Sequence, residues 1–186
     1  MTAAAAPGDT ARITVSPETF TRVEFEAPAI AQIVAELADL LGITNPIRVE
    51  VDETTPLTRA WASVDSRSSD ATITIRIESG AIEDRRRIRQ FGPEAARDSL
   101  GRMMLRARDR LRDDFDLPDD SELDIRQHAA WNTYAAGRLS RLGIPMNQQR
   151  WRYNYRNRFG FTDATDAAFD RLWAADDLSW EQVIDP

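Results

Sequence analysis

Residues 125–162 contain no Asp or Glu, yet they carry seven arginines: Arg126, Arg138, Arg141, Arg150, Arg152, Arg156 and Arg158. Like charges packed in one segment repel, so this stretch must fold where counter-charges reach it, or keep its guanidinium groups for a ligand. The remainder of the chain has 17 arginines against 31 acids, so a +7 island sits in a −14 surround and the net charge is −7. The island also holds Trp131, Tyr134, Trp151, Tyr153, Tyr155, Phe159 and Phe161, with the amides Asn132, Asn147, Gln148, Gln149, Asn154 and Asn157.

Two arrangements satisfy this pattern. In the first, the aromatics anchor a helical core and the arginines pair with the acidic residues of 113–124 and 163–185. In the second, the island is an anion-binding surface: Arg150, Arg152, Arg156 and Arg158 take phosphate or carboxylate bidentately, while Trp151, Tyr153 and Tyr155 stack on a base or an apolar body. Arg85, Arg86 and Arg87, inside residues 79–92, read either as part of a solvated connection or strand extension or as a mobile basic arm reaching the same ligand.

Composition narrows the chemistry. All 24 basic residues are Arg, which reads as the codon bias of a GC-rich bacterial genome and removes lysine Schiff bases and lysine phosphate loops. There is no Cys, so disulfides, thiolate catalysis and Cys-ligated metal sites are excluded. Overall acidity disfavours nonspecific nucleic-acid coating while leaving a local basic site open. No long apolar run or secretory leader is read, so a cytoplasmic protein with no membrane partner and no cofactor is expected. The partner classes that remain are an acidic protein, a phosphate-containing ligand and, disfavoured by net acidity, nucleic acid.

Periodicity predicts an α+β fold: a small N-terminal sheet with a packed helix, a long central helix and a helical C-terminal half. Residues 1–10 read as a mobile tail, 11–116 as the α+β domain, and 117–186 as a helical part packed on it. Ile13 and Val15, then Val23 and Phe25, alternate as two short strands. Pro28 and the spacing of Ile30, Ile33, Val34, Leu37 and Leu41 predict a helix closed by Gly42. Ile47/Val49/Val51 and Ile73/Ile75/Ile77 alternate as strands, with 60–64 a third; if the first two are neighbours, Glu50 and Arg76 face each other. A helix is expected over 93–115, its stripe running from Ala96 through Met103 and Met104 to Phe115. Ser121 with Asp124 reads as the capping box of the next helix, whose face is Trp131, Tyr134, Ala135, Leu139 and Leu142. Residues 146–158 form another, and Thr162 or Asp163 caps one carrying Ala167, Ala168, Leu172 and Trp173, with Phe169 at its side. Ser179 and Gln182 cap a last turn.

No catalytic signature emerges. His128 is the single histidine and falls at the border of an apolar face. No Gly-x-Ser-x-Gly elbow accompanies it, and the acids of 116–124 lack the glycine and terminal glutamate of a calcium loop. The order helix, strands, long helix over residues 28–112 resembles the minimal core of zincin-type metallopeptidases, whose long helix carries His-Glu-x-x-His. At the matching place this chain reads Leu100, Gly101, Arg102, Met103, Met104, Leu105, so the resemblance implies a zincin-like relative without metal ligands or general base. The preferred function is therefore a non-catalytic binding or interaction protein with an Arg/aromatic anion-binding surface. The alternative is an enzyme acting through unrecognised carboxylates and His128. Elemental analysis of the purified chain is expected to find no stoichiometric transition metal; about one zinc per chain, lost on changing His128, would overturn this reading.

Overall fold

The computed structural model describes residues 10–185, so the tail expected at 1–10 lies outside the described residues except for Thr10. The chain forms an α+β fold that divides into two compact units, one reaching Arg108 and the other starting at Asp109.

The first unit is built on a four-stranded sheet of β1 (Ile13–Ser16), β2 (Ile47–Asp52), β4 (Ile73–Glu78) and β3 (Ala60–Val64), in that spatial order. β1, β2 and β4 run parallel and β3 is an antiparallel edge. Alternation with period two does what the sequence dictates: Ile47, Val49, Val51, Ile73, Ile75 and Ile77 are buried on one face, and Arg48, Asp52 and Arg76 are exposed on the other. Glu50 and Arg76 are direct register partners, and their side chains pair at 2.9 Å. Helix α1 (Ala27–Leu41) starts with Pro28 in its first turn and ends at Gly42, whose φ of 65° is left-handed. Helix α2 (Pro93–Arg110) is tied to the α1 segment by Arg97, which donates to Glu36 at 2.8 Å, and by Arg108, which donates to the Leu41 carbonyl at 3.0 Å.

One expectation fails in this unit. Val23 and Phe25 are buried, but their segment makes only isolated bridges, Thr19 with Glu26 and Glu24 with Gln90, and no strand. Residues 79–92, too long for a tight turn, have structure of their own: a short 3-10 turn leads into a hairpin of β5 (Glu83–Asp84) and β6 (Arg87–Phe91).

The second unit holds α3 (Ile125–Arg141), α4 (Gln148–Phe159), α5 (Asp163–Ala174) and α6 (Trp180–Ile184) around an aromatic core. Phe115, Trp131 and Trp180 meet one another tilted or edge to face at centroid separations of 5.6 to 5.9 Å, and Tyr155 lies 5.8 Å from Phe169. α2 stops at Arg110, not at Phe115, because Asp113 and Asp114 follow, and acids oppose the negative C-terminal end of a helix. Phe115 reaches the core from the irregular segment instead. The box that starts α3 is Asp124 with Gln127, not Ser121 with Asp124, because Ser121 is spent in a 3-10 turn. Leu142 is the exposed C-cap of α3 and not a core residue. On α5 the buried residues are Thr165, Phe169, Leu172 and Trp173, while Ala167 faces solvent, so the core stripe is rotated toward Phe169. Thr162 and Ser179 are the N-caps of α5 and α6.

Gly137 in α3 lies so close to α5 that a Cβ placed there would come within 2.2 Å of the Trp173 carbonyl oxygen. Backbone cannot yield as a side chain can, so Gly137→Ala is expected to destabilise the fold by about 1–3 kcal/mol. Urea unfolding checks this, and an unchanged midpoint would show that α3 and α5 reseat freely.

Candidate Arg and aromatic binding face

Helical geometry sorts the α4 side chains into three rows. Trp151, Tyr155 and Phe159 point inward, and Tyr155 is buried and stacked on Phe159 at 4.2 Å. Burial pushes the pKa of the Tyr155 hydroxyl up to about 12, and the hydroxyl has no hydrogen-bond partner among the described residues. Arg152 and Arg156 lie one position round and face α5. Arg152 pairs with Asp166 at 3.3 Å and with Asp170, and its guanidinium lies 4.4 Å over the Phe169 ring. Arg156 takes both oxygens of Asp166. Their hydrogen bonds hold the Asp166 carboxyl below its ordinary range, with the Arg156 contact the larger cause.

The remaining row is outward. Arg150, Tyr153, Asn154, Asn157 and Arg158 are exposed, with Phe161 just beyond the helix. Tyr153 and Phe161 are 59% and 64% exposed and meet edge to face at 6.0 Å. Among the described residues of the second unit, Arg150 and Arg158 are the arginines whose guanidinium groups donate to nothing, whereas every other one has an acceptor.

The other island arginines are consumed internally. Arg138 is buried against the fully buried Asp109, with bonds of 2.7 and 2.6 Å, and lies 3.9 Å over the Tyr134 ring. Trp131 Nε1 donates to the same carboxylate at 2.8 Å. Arg141 donates to the Trp173 carbonyl and to Asp176, and Arg126 to the Arg158 carbonyl at 3.1 Å. Asp109 was not legible as a partner from the acidic clusters. The signal was on α3: Arg138 falls seven residues after Trp131, on the buried face, and a charge there needs a buried counter-charge.

In the first unit, the hairpin carries Arg85 and Arg86 at its turn and Arg87 at the start of β6, all exposed. Arg87 sits 3.8 Å from Asp84, while the Arg85 and Arg86 side chains have no partner among the described residues. Ile88 beside them is 84% exposed. A bulge leaves Ile88, Arg89 and Gln90 without partners across the hairpin, with Arg89 at a left-handed φ of 65° and its carbonyl accepting from the Glu24 amide at 2.7 Å.

An open depression of about 550 Å³ lies at the carboxyl ends of β1, β2 and β4, lined by Ser16, Glu50, Asp52, Trp61, Arg76 and Glu78 among others. Its carboxylates all have partners: Glu50 has Arg76, Glu78 has Arg59 at 3.1 Å, and Asp52 accepts from Thr54 at 2.6 and 2.8 Å. Those bonds lower Asp52 to about 2, so it carries no proton near neutrality. His128 is half-buried, and residues 100, 101 and 103–105 of α2 are buried. Among the described residues no group of His, Cys, Asp or Glu is placed to hold a metal, and no helix is long and apolar enough to cross a membrane. No family model, no curated protein and no solved structure matches the chain.

The Arg156–Asp166 pair generates a pH prediction. Because the folded Asp166 pKa is depressed, the stability it contributes is complete above the unfolded aspartate value of about 4 and fades as pH falls through the folded value. The melting temperature of Arg156→Gln should therefore lie below that of the parent at pH 7, and the two should converge below about pH 4. A gap independent of pH would show that packing, not the ion pair, is lost.

Proposed function

We propose that the chain is a non-catalytic binding protein whose anion-binding surface is the outer face of α4. The observation that carries this reading is the pair of guanidinium groups, Arg150 and Arg158, that have no acceptor among the described residues, in a unit where every other arginine has one. Free guanidinium forks offer strong, geometrically specific recognition of phosphate or carboxylate. The exposed rings of Tyr153 and Phe161 add apolar contact beside them. Arg152 and Arg156 serve this surface indirectly, since their pairing with Asp166 and Asp170 neutralises the nearest acids. Trp151 and Tyr155 hold the helix from beneath. Arg85 and Arg86 form a separate basic patch on the hairpin, open to the same class of acidic or phosphate-bearing partner.

The test is charge reversal on the outer row. The Arg150→Glu, Arg158→Glu double variant should keep the melting temperature of the parent and lose binding to anionic probes: an acidic peptide, inorganic polyphosphate and a single-stranded oligonucleotide. If the parent binds none of the three at low salt, the binding reading fails.

A further inference from the structure

The outer face of α4 has features that an anion alone does not use. Three of the rings in this segment are turned inward, yet Tyr153 and Phe161 are left mostly in water and touch each other. Arg150 and Arg158 are eight residues apart, which is two helical turns, or on the order of 12 Å along the axis. Between them the face presents Asn154 and Asn157, whose amides offer both donors and acceptors. The row therefore reads cation, ring, amide, amide, cation, ring.

From this order we infer that the ligand of the α4 face is a single-stranded nucleic acid, its phosphates held by Arg150 and Arg158 and its bases stacked on Tyr153 and Phe161. The inference rests on the proposed anion-binding role of this face and names its ligand class. A small phosphate ion would need convergent cations, not two that are two turns apart. An acidic peptide would use the guanidinium groups but not the ring faces. Duplex recognition relies on an element seated in a groove and on many phosphate contacts, and two cations are few for that. Single strands, by contrast, are bound by aromatic platforms along a basic track, with sites of about four nucleotides or more. The net charge of −7 opposes any polyanion at long range, but charges beyond roughly 10 Å are screened at 0.1 M salt. Near this face Asp166 and Asp170 are already neutralised by Arg152 and Arg156, while Asp163, two residues after Phe161, is an exposed acid.

The experiment uses the full chain and fluorescence anisotropy with labelled, unstructured RNA and DNA strands of about twelve nucleotides, a length that exceeds one such site. Inorganic polyphosphate of matched charge and an acidic peptide serve as the other probes. The oligonucleotide should bind more tightly than either, and its log affinity should fall with log salt at a slope of about −1.4, the value for two phosphates neutralised on a single strand. Tyr153→Leu with Phe161→Leu removes ring faces without changing charge. It should weaken oligonucleotide binding by about tenfold or more while leaving the melting temperature and polyphosphate binding unchanged. Arg150→Gln with Arg158→Gln should flatten the salt slope. Equal affinity for polyphosphate and oligonucleotide, or an undiminished oligonucleotide affinity in the Leu variant, would overturn the inference and leave the anion-binding role standing. Binding of the acidic peptide alone would point to a protein partner instead. Failure of every probe would remove both readings.

Discussion

The second unit depends on one buried carboxylate. Asp109 is withdrawn from water completely and accepts three hydrogen bonds, two from Arg138 and one from Trp131. An unpaired charge in such a place would cost several kcal/mol, so each partner is held by the need of the other. Arg138 is fixed further by lying over Tyr134, and Trp131 by its tilted contact with Phe115 and edge-to-face contact with Trp180. One carboxylate thus orients the residues that set the register of α3 in its core. Gly137, next to Arg138, lets the α5 backbone close on the same stretch of helix.

The remaining arginines follow from that arrangement. Once α3 and α5 are seated, the inner flank of α4 faces Asp166 and Asp170, and Arg152 and Arg156 are drawn to them. The acid-free island is therefore not a uniform basic surface. Most of its guanidinium groups form a collar that joins helices, and the helical period leaves the other two on the far side of α4. The collar arrangement accounts for the five arginines of the island that have acceptors, and the wheel of a single helix sets Arg150 and Arg158 apart from it.

What could be read from the chain was what period and punctuation encode. The strands β2, β3 and β4, the helix α1 with its Pro28 and Gly42, and the pairing of Glu50 with Arg76 follow from alternation and from residues with one strong local preference. The errors arose where an apolar pattern outran its element or where two residues competed for one role. Leu111 and Phe115 extend the stripe of α2, but Phe115 is core without being helical. Ser121 and Asp124 both look like caps, and Asp124 wins because its oxygen reaches the amides of Arg126 and Gln127. Asp109 could not be singled out among 31 acids, because its partner lies 29 residues away and only packing brings them together. The division of the island arginines depended on where α5 settles, which is also a tertiary fact.

Residues 100–105 of α2 hold no His, Asp or Glu. Here Leu100, Met103, Met104 and Leu105 are buried, and Arg102 is engaged with Asp98 at 2.7 Å. Those positions are committed to packing, and a polar ligand set could be introduced only by opening the core, at a cost of several kcal/mol for each large side chain removed. Among the described residues, Arg85 and Arg86 on the hairpin of the first unit and Arg150 and Arg158 on the outer row of α4 are exposed guanidinium groups with no acceptor. The chain thus spends α2 on its core and leaves these cations, with the rings of Tyr153 and Phe161, in water.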